Sequence, residues 1–250
     1  MSEILKVKEV AFSYPEGIKA LSGLDFRLEP GDSLGVIGPN GAGKTTLLLS
    51  LAGILKTQGT IEINGLIVNK ENLKQIRESI GFLFQDPNDQ LFMPTVFEDV
   101  SFGLLYRDVA PGQIEEKVLA ALDMADIRQL KERIAHHLSF GEKKRTTLAG
   151  ILVVAPKILV LDEPTSNLDV KHRKDFLEII KKLDSTKVIA SHDLEAVFSL
   201  CNKILVLDGG EQLFFGTTAQ FMERKDILQH LEFMIPLSFL KELIPPRNPL

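Results

Sequence analysis

The amino-acid sequence predicts an α/β fold organised around a buried parallel sheet. A glycine-rich turn, Gly38 to Thr45, follows the apolar run Leu34 to Ile37 and precedes leucines at helical spacing. Two further strands are predicted at Ile158 to Leu161 and at Lys187 to Ala190. Polar residues follow both, and an amphipathic helical pattern lies between them. Strands that alternate with helices are typical of parallel sheets, whereas the stretch from Val96 to Val154 is predicted to be helical.

The glycine-rich turn has the spacing G-x-x-x-x-G-K-T, which together with its strand-to-helix context indicates a phosphate-binding loop. Glycines allow successive backbone N–H groups to face a polyphosphate, and the following helix directs its positive dipole end at the same anion. Lys44 is expected to bind the β- and γ-phosphates, and the Thr45 hydroxyl to ligate Mg²⁺. A turn that binds nothing is the alternative, which the complete motif disfavours.

Length and composition limit the possible classes. The chain has 250 residues, of which 44% are hydrophobic, enough for one or two domains with a buried core. No apolar run approaches the roughly 18 residues of a membrane span, and the N-terminus lacks a signal-peptide segment, so a cytoplasmic location is expected. The net charge of −5 offers no overall basic field for nucleic acid. The single Cys201 is expected to be a core residue.

The N-terminal part predicts an antiparallel sheet beside the phosphate-binding loop. Amphipathic strands are expected from Ile4 to Val10 and from Ala20 to Leu28, joined through a turn that begins at Tyr14. The dipeptide Asn64-Gly65 predicts a further hairpin. Tyr14 could stack on an adenine ring or pack at the edge of its turn, and the residues leave both possibilities open.

Gln85 follows the predicted strand Ile80 to Phe84 and begins a polar turn. Its amide could reach a metal ion or an attacking water, although most loop glutamines are only solvated. The apolar cluster Leu91 to Phe97 comes next. Such a cluster forms either the interior of a helical subdomain or an exposed docking patch, and the sequence does not distinguish the two.

Ser139 begins the next predicted helix and has Glu142 three residues later, the spacing of a capping box. A helix start with a hydroxyl and a glycine, here Gly141, would also suit an anion. The local pattern leaves both interpretations open.

Polar residues end two of the predicted parallel strands. Asp162 is expected to hold Mg²⁺ through water, and Glu163 to take a proton from an attacking water. His192 follows the next strand. The alternatives are a solvated loop start and a structural histidine. Because ligands of such sheets gather at the carboxyl ends of strands, a shared site is favoured.

Together these residues resemble the motifs of the ATP-binding-cassette ATPases over nearly the whole chain, from Ile4 to about Arg224. They are similar to the family's A-loop aromatic (Tyr14), Walker A loop (Gly38 to Thr46), Q-loop (Gln85), signature (Leu138 to Glu142), Walker B strand (Ile158 to Asp162), catalytic glutamate (Glu163), D-loop (Ser166 to Asp169) and switch histidine (His192). The resemblance implies a RecA-like P-loop NTPase core with an antiparallel β-subdomain and an inserted α-helical subdomain at about 96–155. The ATPase domain would cover residues 1–224, and a short C-terminal extension residues 225–250.

The resemblance further implies that two cassettes enclose two ATP molecules with Mg²⁺, and it assigns residues to that site. The implied nucleotide contacts are Tyr14, Gly38, Pro39, Asn40, Gly41, Ala42, Gly43, Lys44, Thr45, Thr46, Ser139, Gly141 and Asp169. The implied Mg²⁺ ligands are Thr45, Gln85 and Asp162. The implied catalytic residues are Glu163 as the base, His192 at the γ-phosphate, Gln85 and Lys44.

The signature departs from the family pattern. The family usually has Ser-Gly-Gly-Gln, whereas this chain has Ser139-Phe140-Gly141-Glu142. A carboxylate near a phosphate is expected to be unfavourable unless Lys143, Lys144 or Mg²⁺ compensates its charge.

Three further stretches are similar to the cobalt-type, energy-coupling-factor importers of metals and vitamins. They are Phe12 to Pro15, Phe84 to Phe92 and Glu98 to Gly103. This resemblance implies a peripheral subunit at the cytoplasmic face of the cell membrane, paired with a second cassette that is identical or different. The region after Gln85 would accept a coupling helix of a transmembrane partner, and the cargo would be cobalt, nickel or a vitamin.

Two other classes are weaker alternatives. A soluble cassette that remodels nucleic acid, ribosomes or assembly scaffolds is disfavoured by the acidic charge balance, and no nucleic-acid partner is expected. A P-loop kinase or GTPase leaves the Ser139 to Glu142 motif and His192 without explanation.

Overall fold

A computed structural model describes residues 3–107 and 109–231. The chain divides into two compact units, one formed by Met1–Lys70 with Val188–Leu250 and the other by Glu71–Lys187. The expected domain boundaries, at residue 224 and at about 96–155, stay predictions. Most of the expected C-terminal extension, residues 232–250, lies outside the described residues.

The elements alternate between strands and helices along much of the chain. The strands are β1 (Leu5–Ser13), β2 (Lys19–Leu28), β3 (Ser33–Ile37), β4 (Gln58–Ile63), β5 (Leu66–Ile67), β6 (Ile80–Leu83), β7 (Ile158–Asp162), β8 (Thr186–Ala190), β9 (Lys203–Asp208) and β10 (Glu211–Thr217). The helices are α1 (Lys44–Leu51), α2 (Leu73–Ser79), α3 (Val96–Phe102), α4 (Pro111–Met124), α5 (Phe140–Leu152), α6 (Val170–Lys181), α7 (Leu194–Leu200), α8 (Thr218–Glu223) and α9 (Lys225–His230). Short 3₁₀ helices cover Pro87–Asp89, Arg128–Leu130 and Ala135–His137.

The first unit contains the predicted antiparallel sheet, with strand order β2-β1-β4-β5. Leu5 pairs with Leu28 on one side and with Ile63 on the other, so apolar residues meet on one face. The register of β1 shifts between Val7 and Val10, where Glu9 has a φ angle of 51°. This bulge keeps both valines buried although they are three residues apart.

The first unit also contains the strand that leads into the phosphate-binding loop. All five residues of β3 are buried, and β3 pairs in parallel with β9. On its other side, β9 pairs antiparallel with β10. The Ser191 N–H, just after β8, donates to the Val36 carbonyl at 3.3 Å. This bond keeps the segment that carries His192 beside the end of β3.

In the second unit, β6 and β7 are parallel neighbours, with Ile80 opposite Ile158 and Leu83 opposite Leu161. Helices α3, α4 and α5 enclose an apolar core that includes Val100, Leu122 and Ala149. The stretch from Val96 to Val154 is therefore largely helical, as predicted. No helix in the described part of the chain is long and apolar enough to cross a bilayer.

One predicted element is too long. The leucine spacing predicts a helix reaching Leu55, but α1 ends at Leu51. Gly53 follows with a φ angle of 63°, a left-handed conformation typical of residues that terminate helices. Leu47, Leu48 and Leu51 are buried as predicted.

Candidate nucleotide-binding site

The phosphate-binding loop lies in the first unit, between the end of β3 and the start of α1. Gly38, Gly41 and Gly43 have φ angles of 151°, 80° and 99°, which favour glycine. A Cβ atom on Gly38 would overlap the Leu207 carbonyl. One on Gly43 would overlap the Ala20 carbonyl. The loop needs glycine at these two positions because neighbouring backbone packs directly behind it.

The first turn of α1 has the features of an anion site. No side chain caps this helix start, and no acidic residue occupies its first turn. N–H groups at a helix start need acceptors and carry the positive end of the helix dipole. Pro39, Asn40 and Ala42 complete the loop, and the Ala42 N–H donates to the Pro39 carbonyl at 3.2 Å. This arrangement fits a polyphosphate.

Lys44 supplies the positive side chain of the loop. The residue is only 8% exposed, and its Nζ donates to the Gly38 carbonyl at 2.8 Å and the Pro39 carbonyl at 3.1 Å. The ammonium therefore lies within the curve of the loop, where a phosphate would meet it. The neighbouring Thr45 is exposed, so its hydroxyl is accessible to a metal ion.

Tyr14 lies at the first turn of α1. Its hydroxyl and the Thr46 Oγ1 atom are 3.1 Å apart and share a hydrogen bond. The ring also packs edge-on against Phe12, with 5.0 Å between the ring centroids. These contacts hold the half-buried ring beside the first turn of α1. Its stacking on an adenine ring stays a prediction.

His192 is exposed, but the backbone on both sides of it is fixed. Ser191 is buried and is bonded to Val36 of β3, as described above. Asp193 caps α7 by accepting from the Ala196 N–H at 3.0 Å. His192 is therefore held near β3, the strand that ends at the phosphate-binding loop.

In the second unit, Gln85, Asp162 and Glu163 lie at or just after the carboxyl ends of two neighbouring strands. Gln85 follows β6 and is exposed, whereas Asp162 and Glu163 at the end of β7 are 4% and 8% exposed. Because β6 and β7 are parallel neighbours, their carboxyl ends lie side by side. Glu163 also has a positive φ angle of 45°, which is uncommon for a residue other than glycine.

Ser139 and Glu142 form the predicted capping box at the start of α5. The Ser139 N–H and hydroxyl both donate to Glu142 Oε2 at 2.8 Å. The backbone N–H of Ser139, with its hydroxyl, holds the pKa of the Glu142 carboxyl below its usual value. The Glu142 carboxylate, whose charge is expected to oppose a phosphate, is therefore bonded to Ser139 at the helix start. The Ser139 hydroxyl must leave this carboxylate before it can donate to a phosphate.

Gly141 packs against His172 of α6. A Cβ atom added to Gly141 would lie 3.2 Å from the imidazole ring. The His172 Nδ1 and Asp169 Oδ2 atoms are 2.7 Å apart. Asp169 also caps α6 by accepting from the His172 N–H at 2.9 Å. The predicted nucleotide contact Asp169 thus has a structural role here, and its nucleotide role stays a prediction.

Lys144 contacts the backbone at the proposed base Glu163, whereas the sequence predicted it only as a charge that could compensate Glu142. Its Nζ donates to the Glu163 carbonyl at 2.8 Å and to the Pro164 carbonyl at 3.0 Å. Burial lowers the pKa of the ammonium to about 8, although nearby carboxylates oppose this shift. The signal in the sequence was a lysine at helical spacing from Leu148 and Ile151, on the apolar face of α5.

The structure gathers the predicted site residues into two sets, one in each unit. The first unit holds Tyr14, Gly38, Pro39, Asn40, Gly41, Ala42, Gly43, Lys44, Thr45, Thr46 and His192. The second holds Gln85, Ser139, Gly141, Asp162, Glu163 and Asp169. The glycine loop and Lys44 fit a polyphosphate. The hydroxyl, amide and carboxylate oxygens of Thr45, Gln85 and Asp162 are of the kind that Mg²⁺ prefers.

These features define a P-loop ATPase of the ATP-binding-cassette class, and comparison with known proteins agrees. The sequence profile of the ABC transporter family matches residues 21–166. The chain belongs to this family and is an ATPase. The predicted fold class is confirmed, since solved cassettes share the fold along most of the chain.

Individual relatives are more specific. The chain is 43% identical to a putative ABC transporter ATP-binding protein of Streptomyces avermitilis, covering 94% of this chain and 90% of the relative. It is 39% identical to the energy-coupling factor transporter ATP-binding protein EcfA of Methanothermobacter thermautotrophicus, covering 93% and 77%. The match to EcfA confirms the predicted resemblance to the energy-coupling-factor branch.

Solved structures also match. The cbiO1 protein of Clostridium perfringens, described as part of the ABC transporter complex cbiONQ, has a TM-score of 0.83 and 34% identity. The match covers 98% of this chain and 100% of that one. A dimeric cassette bound to ADP and phosphate has a TM-score of 0.78 and 28% identity, covering 85% and 98%. The importer interpretation is therefore favoured over that of a soluble remodelling cassette.

Proposed function

We propose that this chain is the ATP-hydrolysing subunit of a membrane importer of the cobalt-type, energy-coupling-factor class. The observation that carries the proposal is the glycine loop around the buried Lys44 ammonium, in a chain related to cassettes of such importers. The subunit acts in a pair of cassettes, bound peripherally at the cytoplasmic face of the cell membrane. Its cargo is cobalt, nickel or a vitamin, selected by a membrane subunit.

In the proposed site, the loop N–H groups and Lys44 hold the phosphates of ATP. Thr45, Gln85 and Asp162 would hold Mg²⁺, which neutralises phosphate charge when it is bound. Tyr14 would stack on the adenine ring. Ser139 and Gly141 of the opposing cassette, with its Asp169, would complete the pocket.

Hydrolysis is proposed to depend on Glu163 as the general base for the attacking water. A buried carboxylate at a strand end, with its backbone held in a fixed turn, suits this role because a base must be oriented before it can act. His192 would contact the γ-phosphate and stabilise the reacting geometry. Gln85 would report the presence of the γ-phosphate to the helices that follow it. Differences between ATP and ADP contacts would then shift the membrane partner between two states.

The proposed docking surface for the membrane partner is an aromatic row in the second unit, formed by Phe92, Phe102 and Tyr106. The ring centroids of Phe92 and Phe102 are 4.6 Å apart, and those of Phe102 and Tyr106 are 5.2 Å apart. Phe92 and Tyr106 are 57% and 75% exposed, whereas Leu91 is buried. The apolar cluster after Gln85 thus contributes both to a core and to the surface. Exposed aromatic rows suit the apolar face of a helix.

A first test compares the parent chain with Glu163→Gln. Loss of the base is expected to lower the rate of ATP hydrolysis by about 10²-fold or more, with ATP still bound. Lys44→Ala, in contrast, should weaken ATP binding. A Glu163→Gln protein that hydrolyses ATP at the parental rate would contradict the assigned base.

The transport role is tested by co-purification from membranes of the native host, with Phe92→Ser and Tyr106→Ser as matched variants. Polytopic membrane proteins should be retained by the parent and lost with the aromatic variants. Retention of RNA or DNA that disappears as salt is raised would instead support the remodelling class.

A further inference from the structure

Lys144 is fully buried on the second turn of α5, yet it carries an ammonium group. Its Nζ makes three hydrogen bonds, all to the turn that follows β7. They reach the Glu163 carbonyl at 2.8 Å, the Pro164 carbonyl at 3.0 Å and Ser166 Oγ at 3.2 Å. The long side chain therefore links helix α5 to the backbone that carries the proposed base.

The Glu163 carbonyl also accepts the hydrogen bonds that stabilise the turn from Glu163 to Ser166. Besides the Lys144 ammonium, the Glu163 carbonyl accepts from the Ser166 hydroxyl at 2.9 Å and from the Ser166 N–H at 3.1 Å. Glu163 itself has a φ angle of 45°, a conformation that persists only where the surroundings hold it. Hydrogen bonds from the Lys144 and Ser166 side chains to the Glu163 carbonyl help to stabilise this conformation.

We propose that Lys144 is a positioning residue for Glu163: its ammonium fixes the turn from Glu163 to Ser166 and thereby orients the Glu163 carboxylate toward the attacking water. The inference rests on the base role proposed for Glu163. It also gives α5 a function in hydrolysis, since the helix that Ser139 caps holds the base of its own cassette.

Packing alone does not require a lysine at this position. Leu148 and Ile151 occupy the same face of α5, so an apolar side chain of similar length would fill the space. Burying an ammonium has a solvation cost, which the three acceptors in the turn offset. The carboxylates of Asp86, Asp162 and Glu163 also attract it. The positive charge and the hydrogen-bond donors of Lys144, rather than its packing, thus fix the turn that carries Glu163.

The test replaces Lys144 in the full-length chain and measures kcat and KM for ATP. Lys144→Met keeps the length but removes the donors, and it should lower kcat by about 10- to 100-fold with KM changed by less than about twofold. Lys144→Arg keeps the charge and the donors and should recover much of the loss. Amide exchange from Glu163 to Asp169 should rise in Lys144→Met.

Lys187→Met is the matched control. Lys187 is also buried, and its Nζ also donates to backbone carbonyls, those of Leu183 and Ser185, which lie outside the turn. This variant should keep the parental kcat even if its melting temperature falls. Should Lys144→Met fail to fold, Ser166→Ala removes one contact with the ammonium and should lower kcat by about two- to fivefold with unchanged KM.

The double variant Lys144→Met with Glu163→Gln separates positioning from a general loss of stability. If Lys144 acts through Glu163, the double variant should hydrolyse ATP no more slowly than Glu163→Gln alone. Additive losses, or a parental kcat in folded Lys144→Met or in Ser166→Ala, would overturn the inference. A parental rate in Glu163→Gln would instead show that the base assignment itself is wrong.

Discussion

Tyr14 is held by two contacts that bear on its proposed role at the adenine ring. Its hydroxyl is bonded to Thr46, and its ring packs against Phe12. Stacking depends on the ring alone, so Tyr14→Phe should change the Kd for ATP by less than about threefold. Tyr14→Ala should weaken binding by about 5- to 150-fold, the range that loss of one base-stacking contact implies. Isothermal titration calorimetry with ATP measures both constants.

Melting temperatures provide the control for these two variants. If the ring serves only to pack at its turn, Tyr14→Ala should lower the melting temperature and leave the Kd for ATP unchanged. That result would contradict the stacking role.

At this scale the sequence predicted the residues whose chemistry depends on local spacing. Lys44 stands in a motif with its glycines, and Asp162 and Glu163 directly follow an apolar strand. Lys144 could not be predicted in the same way, because its acceptors lie about twenty residues further along the chain. The bond between Tyr14 and Thr46 likewise joins residues 32 positions apart. Such contacts exist only after the chain has folded.

Helix α5 begins with a capping box that has a carboxylate where the family usually has an amide. Glu142 accepts from both the N–H and the hydroxyl of Ser139, which lowers the pKa of its carboxyl. A lowered folded pKa means that the ionised form stabilises the fold. This stabilisation is complete above the ordinary carboxyl value of about 4.3, and it is lost as the pH falls through the lowered value.

Glu142→Gln should therefore make the stability of the protein less dependent on pH in the acid range. Glutamine can still occupy the capping box, so the free energy of unfolding at pH 7 should fall by only about 0.5 kcal/mol or less. Urea unfolding midpoints between pH 7 and pH 3 give the comparison. The parent should lose more of its midpoint than Glu142→Gln as the pH falls through the acid range. Parallel curves would contradict the assigned cause of the pKa shift.

The helices and strands predicted best are those in which the hydrophobic pattern and the signals for the start or end of the element agree. The buried strand β3 and the capped start of α5 are examples, since apolar runs and the Ser-x-x-Glu spacing are local signals. The predicted end of α1 was wrong, because the leucine spacing continues past Gly53. The left-handed conformation of Gly53 accompanies the actual end of the helix. The bulge at Glu9 left no signal, because it depends on pairing with both neighbouring strands.

For the whole molecule, the order of the motifs predicted the α/β class and the family, and both are confirmed. Motif order carries this information because each motif ends or begins a particular strand or helix. The identity of the partner cassette and that of the cargo cannot be predicted in this way. Their contacts involve surfaces of other chains, so local patterns in this chain, such as the exposed Phe92 and Tyr106, indicate only the type of partner.

Pairing with a second cassette follows from the proposed site, since each nucleotide would need Ser139 and Gly141 from the opposing cassette. The mass of the protein under ATP tests whether that cassette is a second copy of this chain. A variant that binds ATP without hydrolysing it should accumulate in the paired state, because the ATP contacts across the pair are not lost. Glu163→Gln with ATP and Mg²⁺ is therefore expected to have about twice the 27.8 kDa mass of one chain by light scattering. With ADP, or with Lys44→Ala added, the mass should stay that of one chain. A single-chain mass under ATP would contradict pairing of identical copies, and a doubled mass only after addition of a different cassette would indicate a heterodimer.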